Sequence, residues 1–248
     1  MRLIVRKSFR YILAIFLVLF LLPAGLHGAV FWSKGWASDW RTASWSSAGI
    51  IAPAQDTHEA VISVYSARTG RWKGIFAVHS WIVMKQKNEA RWNRYEVVGW
   101  GQPLRQNAYA PDAYWYGNQP QLIGSVTGKT AERLIDKVKV AMAAYPYGNR
   151  GDYQVWPGPN SNTFVASILR SVPALELALP PTAIGKDFIT EGGFMTRAGD
   201  GIKLSANGLL GVSIGGPEGF EVNILGLVAG FDWAKPAIKL PGFGRIEF

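Results

Sequence analysis

Two residues stand where a nucleophile and its base could meet. His79 lies inside an apolar stretch that alternates like a strand, and Ser161 sits in Pro157-Gly158-Pro159-Asn160-Ser161-Asn162-Thr163-Phe164, which opens a helical pattern. A hydroxyl at a helix N-terminus gains from the unpaired N–H groups and the positive dipole end, and a nearby imidazole can take its proton. The N–H groups around Asn162 and Thr163 would then serve as oxyanion donors, with Asn160 lining the cleft. Such a site suits amide or ester hydrolysis, or acyl transfer. A plainer reading stands beside it. Serine is among the best N-cap residues, and His79 shares a strand face with Ala77, Trp81 and Val83, as a buried histidine satisfied by a neighbour would. A third group is harder to place. Folding residues 73–85 onto 94–100 about a tip at Glu89 and Ala90 sets Glu96 opposite Val83, more than ~10 Å along the strand from His79. Gln102, Asp112 and Asp152 are no better placed.

Composition removes other chemistries. The 248 residues include no cysteine and only three histidines, His27, His58 and His79, so thiolate catalysis, disulfides and Cys- or His-rich metal sites are not expected. No metal or cofactor is implied. Residues 1–10 hold four of the 26 basic groups and none of the 17 acidic ones, so the rest of the chain carries 22 against 17, a net of +5. No basic run or stripe accompanies it, and nucleic acid is not an expected partner. Gly124-Ser125-Val126-Thr127-Gly128-Lys129-Thr130 is one residue short of a phosphate-binding loop, so nucleotide is not expected either.

The elements that must position His79 and Ser161 follow from periodicity. Residues 60–67, 73–85 and 94–100 read as three strands of an antiparallel meander, followed by an irregular proline-rich loop over 101–121. Residues 130–145 form an amphipathic helix with Ala131, Leu134, Ile135, Val138 and Met142 on one face and Thr130 as its cap; a second starts near Ser161 and stops at Pro173. From about Phe194 short apolar strands punctuated by glycine take over, at 202–206, 209–214, 220–225 and 227–231, before a proline-rich tail over 235–248.

The N-terminus reads as an anchor. After Arg2, Arg6, Lys7 and Arg10, no charge appears from Tyr11 to Ser33. As one helix, residues 11–32 would reach roughly 33 Å, enough to cross a hydrocarbon core. The twelve-residue run 11–22 alone would suit a cleaved signal peptide, but no pair of small residues with the cleavage spacing occurs between Ala24 and Val30, which favours retention. The basic start places the N-terminus in the cytoplasm. Trp32, Trp36 and Trp40 share one side of a helical turn, at the headgroup level or packed on the domain, and residues 41–57 read as a linker.

The order of His79 on an early strand before Asn160-Ser161-Asn162-Thr163-Phe164 resembles the circularly permuted branch of the papain-like (NlpC-type) superfamily, with Ser161 in the place of the cysteine nucleophile. That resemblance implies either a serine hydrolase or a dead site. The strings His79-Ser80-Trp81-Ile82-Val83-Met84-Lys85, Arg94-Tyr95-Glu96-Val97-Val98-Gly99-Trp100, Pro157 to Phe164, Leu179 to Phe188 and Ile238 to Arg245 are similar to an uncharacterised bacterial envelope family, a domain of unknown function. The expected fold is α+β: a transmembrane helix, an antiparallel sheet with two helices of permuted papain-like type, and a glycine-rich β-subdomain. The expected divisions are 1–32 (basic start and anchor), 33–57 (juxtamembrane linker), 58–190 (papain-like domain) and 191–248 (β-rich subdomain and tail). The expected setting is a bacterial inner membrane, crossed once, with the body periplasmic. Expected partners are membrane lipid along 11–32 and a glycan, peptide or lipid of the envelope. The alternative function is a non-catalytic binding or structural module that uses the same cleft, with Tyr145, Tyr147, Tyr153 and Trp156 nearby.

Overall fold

The computed structural model describes residues 2–37 and 39–248; Met1 and Ser38, which fall in the expected basic start and linker, lie outside the described residues. The chain is a mixed α+β protein with an apolar N-terminal helix and two antiparallel sheets. The helix is continuous through α1 (Arg2–Phe16), a π-helical turn (Leu17–Leu21) and α2 (Leu22–Lys34). Pro23 has no N–H to return to the carbonyl one turn back, and the wider turn just before it, closed by Leu22 N–H on Leu17 O, absorbs the mismatch. The segment Ser8–Lys34 is long and apolar enough to cross a membrane. The helix ends at Lys34, so Trp36 and Trp40 are not on it and the expected tryptophan stripe does not form; Trp36 instead folds back edge-on to Trp32.

The first sheet runs in the order β4-β3-β2-β1-β5, from β1 (Val61–Arg68), β2 (Val78–Lys85), β3 (Asn93–Val97), β4 (Leu104–Gln106) and β5 (Gln121–Thr127). Both its faces are covered. Ile62, Val64, Ile82 and Met84 meet the apolar stripes of α3 (Gly128–Ala143) and α4 (Ser161–Ser171), where Ile135, Val138, Phe164 and Ile168 are fully buried. Tyr65, Trp81 and Val83 point the other way into a second cluster with Trp115. The supposed linker supplies its cover: Trp45 and Ile51 pack there, Ser47 bridges to Ala113, and the Asp112 carboxylate accepts from Ser47 Oγ and the N–H groups of Ile50 and Ile51. Residues 41–57 are a strap laid on the sheet, not a free connection.

Other expectations shift in detail. The helix α3 begins two residues early, at Gly128, and Thr127 precedes it without a side-chain cap bond. The loop over 101–121 contains β4, and the glycine-serine string beyond it is β5, antiparallel to β1, which is not the strand of a phosphate loop. Residues 71–75 form a 3-10 turn ahead of β2.

The second sheet is a seven-stranded meander in chain order, β6 (Met195–Ala198), β7 (Gly201–Ala206), β8 (Leu210–Gly215), β9 (Gly219–Ile224), β10 (Leu227–Asp232), β11 (Ala237–Leu240) and β12 (Gly244–Glu247). The tail expected to be irregular supplies its last two strands, because Pro236 and Pro241 fall just outside β11. Lys186, Asp187, Lys203, Glu218, Glu221 and Lys239 are buried beneath it. Lys186 Nζ bonds Glu221 and lies 3.2 Å from Asp187; Lys203 Nζ lies 2.5 Å from Asp187 and 2.9 Å from Glu218; Lys239 Nζ lies 2.6 Å from Glu221. Three ammonium groups thus sit among three carboxylates, leaving the cluster neutral. Asp187, Glu218 and Glu221 approach one another as metal ligands would, but the lysines occupy the space between them.

Candidate functional site

Asn160, not Ser161, caps α4. Its Oδ1 accepts from the N–H groups of Asn162 (2.9 Å) and Thr163 (3.2 Å), while Thr163 Oγ1 accepts from Asn160 N–H, closing a capping box. Asn160 Nδ2 also donates to Val155 O and Ile184 O, and Thr163 Oγ1 donates to Gly185 O at 2.7 Å. Gly185 has φ +97, and a Cβ there would stand 2.3 Å from Asn160 Nδ2, so only glycine admits this close approach. The expected oxyanion role of the Asn162 and Thr163 N–H groups is therefore corrected: the cap already uses both. Asn162 is structural in a second way, since its Nδ2 donates to Val78 O (2.9 Å) and Ile184 O (2.8 Å) and ties the start of α4 to the start of β2.

That tie sets the start of α4 beside the start of β2, and Ser161 and His79 border the same cavity. Ser161 is the first helical residue, with its hydroxyl free of capping duty, and Tyr153 borders the same cavity, with no hydrogen bond joining the two among the described residues. Burial pushes the Tyr153 phenol up, with Ser161 working against that shift. Gly99 makes room for Tyr153: a Cβ there would fall 2.9 Å from its ring.

His79 faces the second, aromatic side of the sheet, the opposite side from the body of α4. Its ring lies flat on Trp115, with centroids 3.6 Å apart and planes at 6°, and Nε2 is 2.7 Å from Glu96 Oε2. The same oxygen accepts from Arg94 Nη2 at 2.8 Å, and Arg94 is stacked 4.0 Å over Trp81. All three ionisable groups are buried. Glu96 is thus the third group that strand arithmetic rejected. The pairs Ile82 with Tyr95 and Val83 with Arg94 put Glu96 opposite Trp81, two residues nearer His79 than expected. The tip of the hairpin is asymmetric: Asn88 takes a left-handed conformation (φ 57), and Glu89 holds Gln86 N–H and Asn93 Nδ2 with its two oxygens. A register difference of two keeps the face and moves the carboxylate along it.

The protonation states follow from these contacts. His79 and Arg94 hold the Glu96 carboxyl below its usual range despite its burial. A carboxylate accepts only, so Nε2 of neutral His79 carries the proton and Nδ1 keeps the lone pair. Burial pulls the imidazole below its ordinary value, with Glu96 opposing. Among the described residues no hydrogen bond takes up Nδ1, and none joins His79 to Ser161.

Both residues border one cavity of about 600 Å³, whose walls include Trp72, Phe76, Trp100, Trp115, Tyr116, Tyr153 and Trp156, with Asn160 and Asn162 at its floor. A second hollow of about 410 Å³, walled by Trp40, Trp45, Trp100, Tyr109 and Tyr116, shares Trp40, Trp100 and Tyr116 with the first. Of the aromatics expected near the cleft, Tyr153 and Trp156 line it, whereas Tyr145 and Tyr147 pack into the core beside α4. Trp45, Tyr109, Trp115 and Tyr116 of these walls come from the strap and the 101–121 loop, segments without strong periodicity.

No curated protein and no solved structure is detectably similar to the chain. A family model described as "Protein of unknown function (DUF3750)" matches residues 59–188, a stretch that begins just before β1, ends past α4 and contains His79, Glu96, Tyr153 and Ser161. With just over half of its length covered by that match, the chain belongs to the DUF3750 family of proteins of unknown function.

Proposed function

We propose that this protein is a membrane-anchored envelope protein whose cleft hydrolyses an ester or amide, or transfers an acyl group, with Ser161 as nucleophile, His79 as base and Glu96 as the group that orients the base. The observation that carries this reading is the Glu96–His79 bond, which leaves Nδ1 as the basic nitrogen beside a cavity that Ser161 also borders. For attack, the Ser161 hydroxyl turns toward His79 by rotating about its Cα–Cβ bond. Oγ adds to the carbonyl carbon as its proton passes to Nδ1, and Glu96 stabilises the imidazolium. The leaving alcohol or amine takes that proton, and water or a second alcohol or amine then releases the acyl group. Because the Asn162 and Thr163 N–H groups are engaged, the developing oxyanion falls to Ser161 N–H and the Tyr153 hydroxyl. A single inner-membrane crossing with a periplasmic body follows from the basic residues ahead of the apolar segment.

A second reading, a non-catalytic module that holds a glycan, peptide or lipid against the aromatic walls, is favoured by those walls and by the lack, among the described residues, of a hydrogen bond between Ser161 and His79. A fluorophosphonate probe on the full-length protein separates the two. The catalytic reading expects covalent mass added at Ser161, abolished in Ser161→Ala and in His79→Ala; folded protein left unmodified after prolonged exposure contradicts it and leaves the binding module.

A further inference from the structure

The seven-stranded sheet is built with its polarity reversed. Strand register aligns its residues in rows, and one row reads Ile202, Ile214, Phe220, Phe231, Ile238 and Ile246 across six strands. The row beside it reads Met195, Leu204, Val212, Val222 and Ala229. These rows face outward: Ile202, Ile214, Phe231 and Ile238 are 54%, 55%, 49% and 45% exposed. The intervening row, which includes Lys203, Ser213, Glu221 and Lys239, faces inward and is buried. A water-facing sheet shows the opposite alternation, and a contiguous apolar face of this kind marks a surface that is covered.

The anchor shows what covers it. Its π-helical turn packs on β10, a middle strand of this sheet, with Phe20 buried. Further along, His27 stacks edge-on to Phe243 at 5.2 Å and Phe31 presses on Gly74, where a Cβ would fall 2.5 Å from its ring. Phe20 stands nine residues beyond Tyr11, roughly 14 Å along the axis, whereas a hydrocarbon core is about 30 Å thick. A helix that spans from Tyr11 therefore meets β10 while still at hydrocarbon depth. The sheet ladder satisfies the main chain of its inner strands, and the edge strands β6 and β12 carry Arg197, Arg245 and Glu247 toward the rim. A protein partner seated on this face would have to accommodate the anchor as well, whereas lipid would surround an inserted anchor and reach the face beside it.

We propose that the apolar face of the seven-stranded sheet is seated in the leaflet crossed by the C-terminal half of the anchor, so that helix and sheet together hold the cleft at the membrane surface. This rests on the anchor being retained and inserted. The absence of native cysteine makes it directly testable. Spin labels are placed singly on the full chain at Ile214→Cys and Ile238→Cys on the sheet, Ile15→Cys on the helix and Asp136→Cys on the exposed side of α3, and the protein is reconstituted in phosphatidylcholine–phosphatidylglycerol vesicles. The ratio of oxygen to nickel-chelate collisions is expected to be several-fold higher at Ile15, Ile214 and Ile238 than at Asp136. Water-like ratios at Ile214 and Ile238 with a lipid-like ratio at Ile15 overturn the proposal and leave the anchor standing. Dipolar coupling between copies at Ile214 assigns the face to a second protein molecule and also overturns it. A water-like ratio at Ile15 removes the anchor reading itself.

Discussion

Each sheet of this protein buries a charged network, and the two networks differ in whether they close. Under the seven-stranded sheet, three lysines meet three carboxylates, and Asn223 adds a donor to Asp187 at 3.0 Å. In the five-stranded sheet the network is a chain: Arg94 to Glu96, Glu96 to His79, and then a ring nitrogen that has no partner among the described residues and lies beside a cavity. A closed network has its charges answered within the fold and serves to join segments distant in sequence, here the loop after α4 and the strands of the second sheet. An open one keeps a basic atom available. Buried charge therefore carries different meaning in the two halves of the molecule.

Opening the closed network should have the largest effect. Lys186→Met leaves three carboxylates facing two ammonium groups in a buried site, and a loss of about 4 kcal/mol is expected, measured by urea unfolding of the reconstituted or detergent-solubilised protein. Glu96→Gln should cost roughly 3 kcal/mol, because Arg94 loses its counter-charge, and it should abolish any Ser161 labelling in the folded fraction. Asn160→Ala removes the cap of α4 and should cost about 1–2 kcal/mol. Ser161→Ala should alter stability by less than ~1 kcal/mol, since the hydroxyl does no capping. If Ser161→Ala instead destabilises as much as Asn160→Ala, the separation of cap from nucleophile fails.

Acid separates the networks as well. The folded-state value of His79 lies below its ordinary 6.5, so the unfolded chain binds that proton first and stability starts to fall as pH drops through 6.5. Asp187 and Glu218 are held below the usual carboxylate range by Lys186 and Lys203; their contribution is present above that range and disappears only as pH falls through it toward their depressed values. The open network should respond to mild acid, the closed one only to strong acid.

Much of the first sheet was legible from periodicity. The stripes of α3 and α4 and the alternation through β1 and β2 locate both the core and the two candidate residues within a residue or two. Glu96 was not legible, because its distance from His79 depends on hairpin register, and that depends on Asn88 and the side-chain bonds of Glu89, which alternation does not encode. The cap was misplaced by one residue for a similar reason: Asn160 and Ser161 are both good caps, and only the approach of Gly185 and Ile184 decides between them. In the second sheet, period two separates Lys203 and Ser205 from Ile202 and Leu204 but does not say which side is covered. The lysine-carboxylate partners that answer it come from four separate segments.

The openness of the His79 chain is the claim on which the catalytic reading turns, and the ring nitrogens report it directly. With only His27, His58 and His79 present, nitrogen-15 spectra of histidine-labelled protein, assigned with His79→Gln, can be followed across pH. At neutral pH His79 is expected to carry its proton on Nε2, with an unprotonated Nδ1, and to titrate below its ordinary 6.5 in wild type. A His79 protonated on Nδ1, or one that remains doubly protonated above pH 7, would contradict that claim.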